Sequence, residues 1–147
     1  MSRPPTHDAA LARFVEAQAD SFATALAELR TGRKQSHWMW YIFPQIAGLG
    51  HSPTAIIYAI ADAEEARAYL AHPLLGERLH QAVATAIETL GSAEAIFGGI
   101  DAMKLRSSLT LFAAVADDPE PFRRGLTRFF DGQDDPATLA RLDHPKR

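Results

Sequence analysis

Between residues 8 and 31, Leu11, Phe14, Val15, Phe22, Leu26 and Leu29 recur at spacings of three, four and seven. Positions so spaced lie on one side of a 3.6-residue turn, so the pattern predicts a long amphipathic helix. Thr6 or Asp8 is placed to cap its start and Gly32 to stop it. Glu16, Asp20 and Glu28 would face water, and Arg30 and Arg33 would lie near its negative end. Leu74, Leu75, Leu79, Val83, Ile87 and Leu90 make a second long stripe that ends at Gly91. Asp101 is expected to cap a helix over about 102–116, with Leu105, Leu109 and Phe112 inward. Behind Asp118-Pro119, Phe122, Leu126, Phe129 and Phe130 form the buried side of another, closed by Gly132.

Shorter helices are marked by their punctuation. Ser36 and Pro44 bracket one. Ser52 before Pro53 opens one that runs to about Ile60. Asp62 with Glu65 has capping-box spacing and opens a helix over 63–71. His72 before Pro73 reads as a boundary, because the residue before proline avoids helical geometry. Ser92 opens a brief helix ended by Gly98-Gly99, Asp135-Pro136 starts a last turn, and the tail from Leu142 to Arg147 is expected to fray. No segment sustains a two-residue alternation. Only Trp38–Phe43 has strand-like composition, and its cap and stop favour a helix. The expected fold is all-α, an irregular or orthogonal bundle of about seven to eight helices, several of them short. It forms a single domain over residues 1–147 with an ordered core about 8–141.

Composition narrows the function classes. A chain of 147 residues with 47% hydrophobic and 22% charged residues is of ordinary globular make-up. The formal charge of -3 argues against a nucleic-acid partner, which usually meets a basic excess. The absence of cysteine removes disulfides, thiolate metal sites and thiol nucleophiles together. Met1–Asp8 carries no apolar run of a secretory signal, and Trp38–Phe43 is too short to span a bilayer. The expectation is a cytoplasmic protein with no membrane association.

The run Ser36-His37-Trp38-Met39-Trp40-Tyr41-Ile42-Phe43-Pro44-Gln45 resembles bacterial domain-of-unknown-function family 1810. Further matches follow in order at Gly48-Leu49-Gly50, Tyr58, Tyr69-Leu70, His72-Pro73, Ile96-Phe97-Gly98, Asp101 with Lys104, Ser107-Ser108 and Asp131-Gly132. The resemblance spans about Phe14 to Leu139. It implies a small, mostly helical stand-alone protein and carries over no activity. Family relatives fused to macro domains, which bind ADP-ribose, associate it with nucleotide chemistry. The calpastatin-like label attached to that family does not suit a chain with patterned core helices, because calpastatin is a flexible inhibitor without a core.

Five groups of residues are candidates for chemistry. On a helix, His37, Trp40 and Tyr41 share one face and Trp38 and Ile42 another. Such a strip either stacks a flat ligand ring, with His37, Tyr41 and Gln45 offering hydrogen bonds, or plugs the core. Lys104, Ser107 and Ser108 share a helix edge, which suits an anion; the alternative is a Lys104 paired with Asp101 one turn earlier. A Ser–Lys nucleophile pair would need an oxyanion hole that the sequence does not mark. His37, His51, His72 and His80 lack metal-ligand spacing, so no metal and no cofactor are expected. Gly48 and Gly50 either turn the chain tightly or bring N–H groups towards an anion. Arg30, Arg33 and Lys34 either draw in a phosphate or complement a helix end.

The functional expectation is a domain that binds or processes a small anionic, nucleotide-like ligand, ADP-ribose- or NAD-derived. Trp38, Trp40, Tyr41, Gln45, Lys104, Ser107 and Ser108 would contact it, and His37 is the candidate acid–base group. The alternative is a protein–protein interaction module without catalysis, and a homodimer stays open. The sequence does not decide whether turnover occurs. The ligand reading requires the two stretches to meet at one concave surface.

Overall fold

The computed structural model describes residues 7–143, with side chains from residue 9. Ten helices form among these residues: α1 (His7–Ala19), α2 (Phe22–Thr31), α3 (Met39–Ile42), α4 (Pro53–Ile57), α5 (Ala63–Ala71), α6 (Leu75–Glu88), α7 (Ala93–Phe97), α8 (Gly99–Val115), α9 (Glu120–Phe130) and α10 (Pro136–Asp143). No strand is present among them, only an isolated parallel bridge between Ile46 and Ile60. The all-α reading therefore stands. The helix count exceeds the expected seven to eight, and the first stripe contributes to this by being two helices. No helix among the described residues is long and apolar enough to cross a bilayer.

The central element is α8. Its buried residues are the apolar Ala102, Leu105, Leu109, Leu111, Phe112 and Val115 with the polar Ser107, Ser108 and Thr110, and together they point in nearly every direction. A helix buried on most of its sides belongs in the middle of a bundle, and α8 packs against α5, α7, α9 and α10. Phe14, Tyr69, Phe112 and Phe122 run through the core as successive ring contacts 5.2 to 5.9 Å apart. Fully buried Tyr69 has its hydroxyl pKa raised by that burial, and Gln18 Nε2 donates to the hydroxyl oxygen at 3.0 Å.

Several helix ends follow the residues that marked them. Ser52 Oγ accepts from Ala55 N at 3.1 Å, Asp62 Oδ1 from Glu65 N at 2.9 Å, and Ser92 Oγ from Ala95 N at 3.0 Å. His72 ends α5 and also serves α6, because its Nδ1 accepts from Leu74 N at 3.1 Å and Leu75 N at 3.2 Å. Asp135 Oδ2 accepts from Thr138 N at 3.3 Å and starts α10.

Other boundaries move, each for a local reason. The first helix breaks at Asp20-Ser21, where Ser21 Oγ takes the carbonyl of Ala17 at 2.5 Å. The Thr6 cap lies outside the described residues, and Asp8 falls within α1 rather than before it. Ser36 does not cap a helix: only Met39–Ile42 is helical there, and the Ser36 hydroxyl is engaged by Glu28. The helix from Pro53 stops at Ile57, short of Ile60. Gly98 and Gly99 open α8, which leaves Asp101 in its first turn instead of at the cap. Leu90 is 90% exposed rather than inward. Thr89 Oγ1 bonds to Leu29 O and Thr85 O, and the chain leaves the helix before Leu90.

One glycine sets the α5–α6 packing. A Cβ at Gly76 would lie 2.1 Å from Leu70 O, a backbone atom that cannot swing aside. Gly76→Ala is expected to destabilise the fold by about 2 kcal/mol through overpacking, visible as a lowered denaturation midpoint. An unchanged midpoint would show that the two helices separate without penalty.

Candidate functional site

The aromatic run enters the structure through one carboxylate. Glu28 on α2 points towards residues 35–38 rather than to water. Its Oε1 accepts from Gln35 N at 2.7 Å, Ser36 N at 2.9 Å and Trp38 Nε1 at 2.9 Å, and its Oε2 from Ser36 Oγ at 2.5 Å. Burial by itself raises the Glu28 pKa. The four hydrogen bonds to the ionised form outweigh it and hold the group at about 2, below its ordinary 4.5. Trp38 is thereby fixed in the core at 1% exposure, its ring 6.3 Å from Phe43 and 6.4 Å from Phe97.

Next to this clamp, Asp101 bridges two lysines. Lys34 Nζ lies 2.8 Å from Asp101 Oδ2, and Lys104 Nζ lies 3.3 Å from Asp101 Oδ1. Each ammonium also sits over an indole: Lys34 at 5.1 Å from Trp38, Lys104 at 4.6 Å from Trp40. Asp101 occupies the first turn of α8, where the helix dipole favours a negative charge. The distant stretches around Trp40 and Lys104 thus meet through charge and ring contacts.

Lys104 and Ser107 line an open cavity of about 300 Å³, together with Gln45, Leu49, Met103 and Asp135. Gln45 and Gly50 also line a neighbouring crevice of about 10 Å³, which Trp40 and Tyr58 wall. The Trp40 Nε1–H is buried without a hydrogen-bond acceptor from the protein among the described residues. Gln45 is held in place by its backbone, since its carbonyl accepts from Ile60 N at 2.8 Å beside the Ile46–Ile60 bridge. At the far wall, Asp135 Oδ2 accepts from Ser107 Oγ at 2.8 Å and Thr138 Oγ1 at 2.5 Å. Burial raises the Asp135 pKa, but the bonds from Thr138 and Ser107 win and lower it, so the wall carries a carboxylate. The cavity is amphoteric: ammonium and amide at one part, carboxylate at another, with apolar surface between.

The residues singled out from sequence fall into two groups. Trp40, Gln45, Lys104 and Ser107 border this cavity or its crevice. His37, Trp38, Tyr41 and Ser108 are not in its lining. His37 is exposed ahead of α3, and its carbonyl accepts from Tyr41 Oη at 3.4 Å. The Tyr41 ring lies 5.2 Å from Tyr58. Ser108 is 1% exposed, its hydroxyl without a partner among the described residues. The face expected to join His37 to Trp40 and Tyr41 does not form, because His37 precedes the single turn of α3. Gly48 has φ +98°, as a tight turn requires, and carries the Arg141 guanidinium against its backbone.

By its spacing Glu28 belongs in water, and Lys34 either draws in a phosphate or complements a helix end; the structure pairs Lys34 with Asp101 instead. Neither the carboxylate clamp nor the Lys34–Asp101 arm of the bridge has a spacing signature, since both join residues of different elements. Asp135 was legible as a helix start but not as a cavity wall. Among the described residues no group of three or more His, Asp or Glu could hold a metal ion. A larger cavity of about 610 Å³ lies between the 46–48 backbone, the start of α5 and α10, but its Asp62 caps α5 and its Arg141 bonds Gly48 O at 3.3 Å.

The family model described as "Protein of unknown function (DUF1810)" matches residues 8–142. The chain is similar to the crystal structure of a conserved hypothetical protein from Mycobacterium tuberculosis, at 47% identity and a TM-score of 0.89. The match covers 91% of this chain and 96% of that one. No curated protein matches the chain significantly.

The clamp gives a pH-dependent prediction. With a folded pKa of about 2 against an ordinary 4.5, Glu28 stabilises the fold above pH 4.5, and this stabilisation is lost as pH falls towards 2. Glu28→Gln is expected to cost about 2 kcal/mol at neutral pH, allowing for partial solvent screening. The difference from the parent should shrink on acidification between those two values, measured by denaturant unfolding at several pH values. A constant difference across that window would show that the ionised carboxylate does not hold the segment.

Proposed function

The chain belongs to the DUF1810 family, and on that premise we propose that it is a small-ligand-binding domain whose site is the cavity between α8, the start of α10 and the loop after α3. The observation that carries this reading is the approach of Lys104 to Trp40 at the edge of an open cavity, beside an indole N–H with no acceptor of its own. An unsatisfied buried donor costs free energy that a ligand acceptor recovers.

The lining suggests what the ligand is. Lys104 suits an anionic group. Asp135 repels one and suits hydroxyl or amino donors. Leu49, Ile100 and Met103 offer apolar surface for a flat ring. A nucleotide-like molecule, with phosphate, sugar hydroxyls and base, carries all three kinds of group. At about 300 Å³ the cavity is at the small end for ligand sites, so it takes a nucleoside-phosphate portion rather than enclosing a whole dinucleotide. The reading is of binding. His37 is not among the residues that line the cavity, so no acid–base role is assigned to it.

Thermal shift and calorimetric titration with ADP-ribose, NAD and simple nucleoside monophosphates test this. A ligand at a hundred times its Kd should stabilise the fold by about 2.7 kcal/mol. Lys104→Ala should weaken binding about tenfold, the loss of one charge-assisted contact. The absence of any shift at millimolar ligand, or unchanged affinity in the Lys104→Ala variant, would remove the reading.

One observation favours a second reading, as an interaction module. Ile100 and Met103, at the cavity's rim, are 76% and 72% exposed and lie one helical turn apart. They, and not the tryptophans, would form the contact. Self-association that Met103→Asp abolishes, measured by light scattering without ligand, would support that reading over the first.

A further inference from the structure

We propose that the concave face between α9 and the end of α6 is a second site, which takes the phosphate group of a small phosphorylated molecule. A cavity of about 450 Å³ lies there, lined by Ile87, Glu120, Arg123, Arg124, Thr127 and Arg128. Its volume is that of a small-molecule site and not of a track for a polymer. It shares no residue with the cavity at Lys104.

The sequence of α9 builds this face. Phe122, Gly125 and Leu126 are buried, which turns Arg123, Arg124, Thr127 and Arg128 to the other side. Three guanidinium charges there meet the single carboxylate of Glu120. Even with Arg123 paired to Asp134, the concavity stays positive in a chain of net charge -3. A local reversal of sign inside a cavity concentrates anions.

Two of the arginines are already fixed. Arg128 Nη2 donates to Thr89 O at 2.7 Å and Gly91 O at 2.9 Å, and its guanidinium lies 4.4 Å from the Phe129 ring centre. Its Nε and Nη1 donors take no part in those bonds. Arg123 is tied to Asp134 Oδ1 at 2.6 Å and Gly132 O at 3.1 Å. A plain solvated helix face carries arginines that wave freely; here the planar groups are set in place before a ligand arrives, which lowers the entropic cost of binding. Arg124 stands one turn before Arg128, exposed and without a partner among the described residues, as the arm that closes on the anion. The Thr127 hydroxyl adds a donor. Tetrahedral phosphate, with its several acceptor oxygens, suits this set of forked donors better than a planar carboxylate does.

Titration with inorganic pyrophosphate and with orthophosphate, at ionic strength matched by sodium chloride, tests the site by amide chemical shifts and thermal melting. Pyrophosphate should raise the melting temperature and move the amides of residues 120–128, leaving 100–107 in place. Arg124→Ala should weaken it about tenfold while melting like the parent without ligand. Arg128→Lys, which keeps the charge and loses the fork, should weaken it as well. Arg67→Ala, which removes an equal charge from α5, should leave affinity unchanged. Equal effects of sodium chloride, full affinity in Arg124→Ala, or shifts centred on residues 100–107 would overturn the proposal.

Discussion

The described site depends on where one carboxylate finds its hydrogen bonds. Glu28 gathers two backbone N–H groups, a hydroxyl and an indole N–H from residues 35–38, in a stretch with no helix or strand of its own. Without such an acceptor those donors would be buried unpaired or would draw water in, and the chain would lose its reason to bring Trp38 inside. With it, Trp38 seats in the core and α3 starts directly after, which sets Trp40 towards α8.

From that fixed point the charges organise themselves. Asp101 lies in the first turn of α8 and holds both Lys34 and Lys104, each over a tryptophan face. The ammonium of Lys104 is therefore positioned before any ligand is present, though the side chain remains 23% exposed at the cavity wall. Across the cavity Asp135 is held by Ser107 and Thr138 while starting α10, so a helix cap doubles as a polar wall. Two of the three arginines of α9, Arg123 and Arg128, follow the same pattern, since backbone carbonyls and a carboxylate hold them in place.

Much of the fold was legible because it depends on neighbours in sequence. Ser52, Asp62 and Ser92 each act within three residues of themselves, and each caps as its spacing indicates. The stripe through Leu79 and Val83 buries as its period requires. What was illegible acts at a distance. The break at Ser21 leaves the hydrophobic spacing nearly intact, so periodicity runs through it. Leu90 satisfies the stripe but follows the last helical residue. Glu28 has the spacing of a solvent-facing residue and is turned inward only because residues 35–38 fold back over it. At the site, Lys104 with Asp101 was readable as a helical pair, whereas Lys34 joining the same carboxylate and Trp40 lying under Lys104 are tertiary facts. The expected shared face of His37 with Trp40 and Tyr41 rested on extending α3 back to Ser36, and the structure keeps that helix to one turn.

The central claim is that the ionised Glu28 carboxylate holds the Trp38 indole and with it the aromatic segment. The chain has two tryptophans, so both indole N–H signals can be followed separately by nuclear magnetic resonance during acidification. The account predicts that the Trp38 signal is the slower to exchange with solvent and shifts with a midpoint near 2, following Glu28, while Trp40, bonded to no carboxylate, does not follow that titration. A Trp38 signal that titrates at the ordinary 4.5, or exchanges as fast as a free indole, would contradict it.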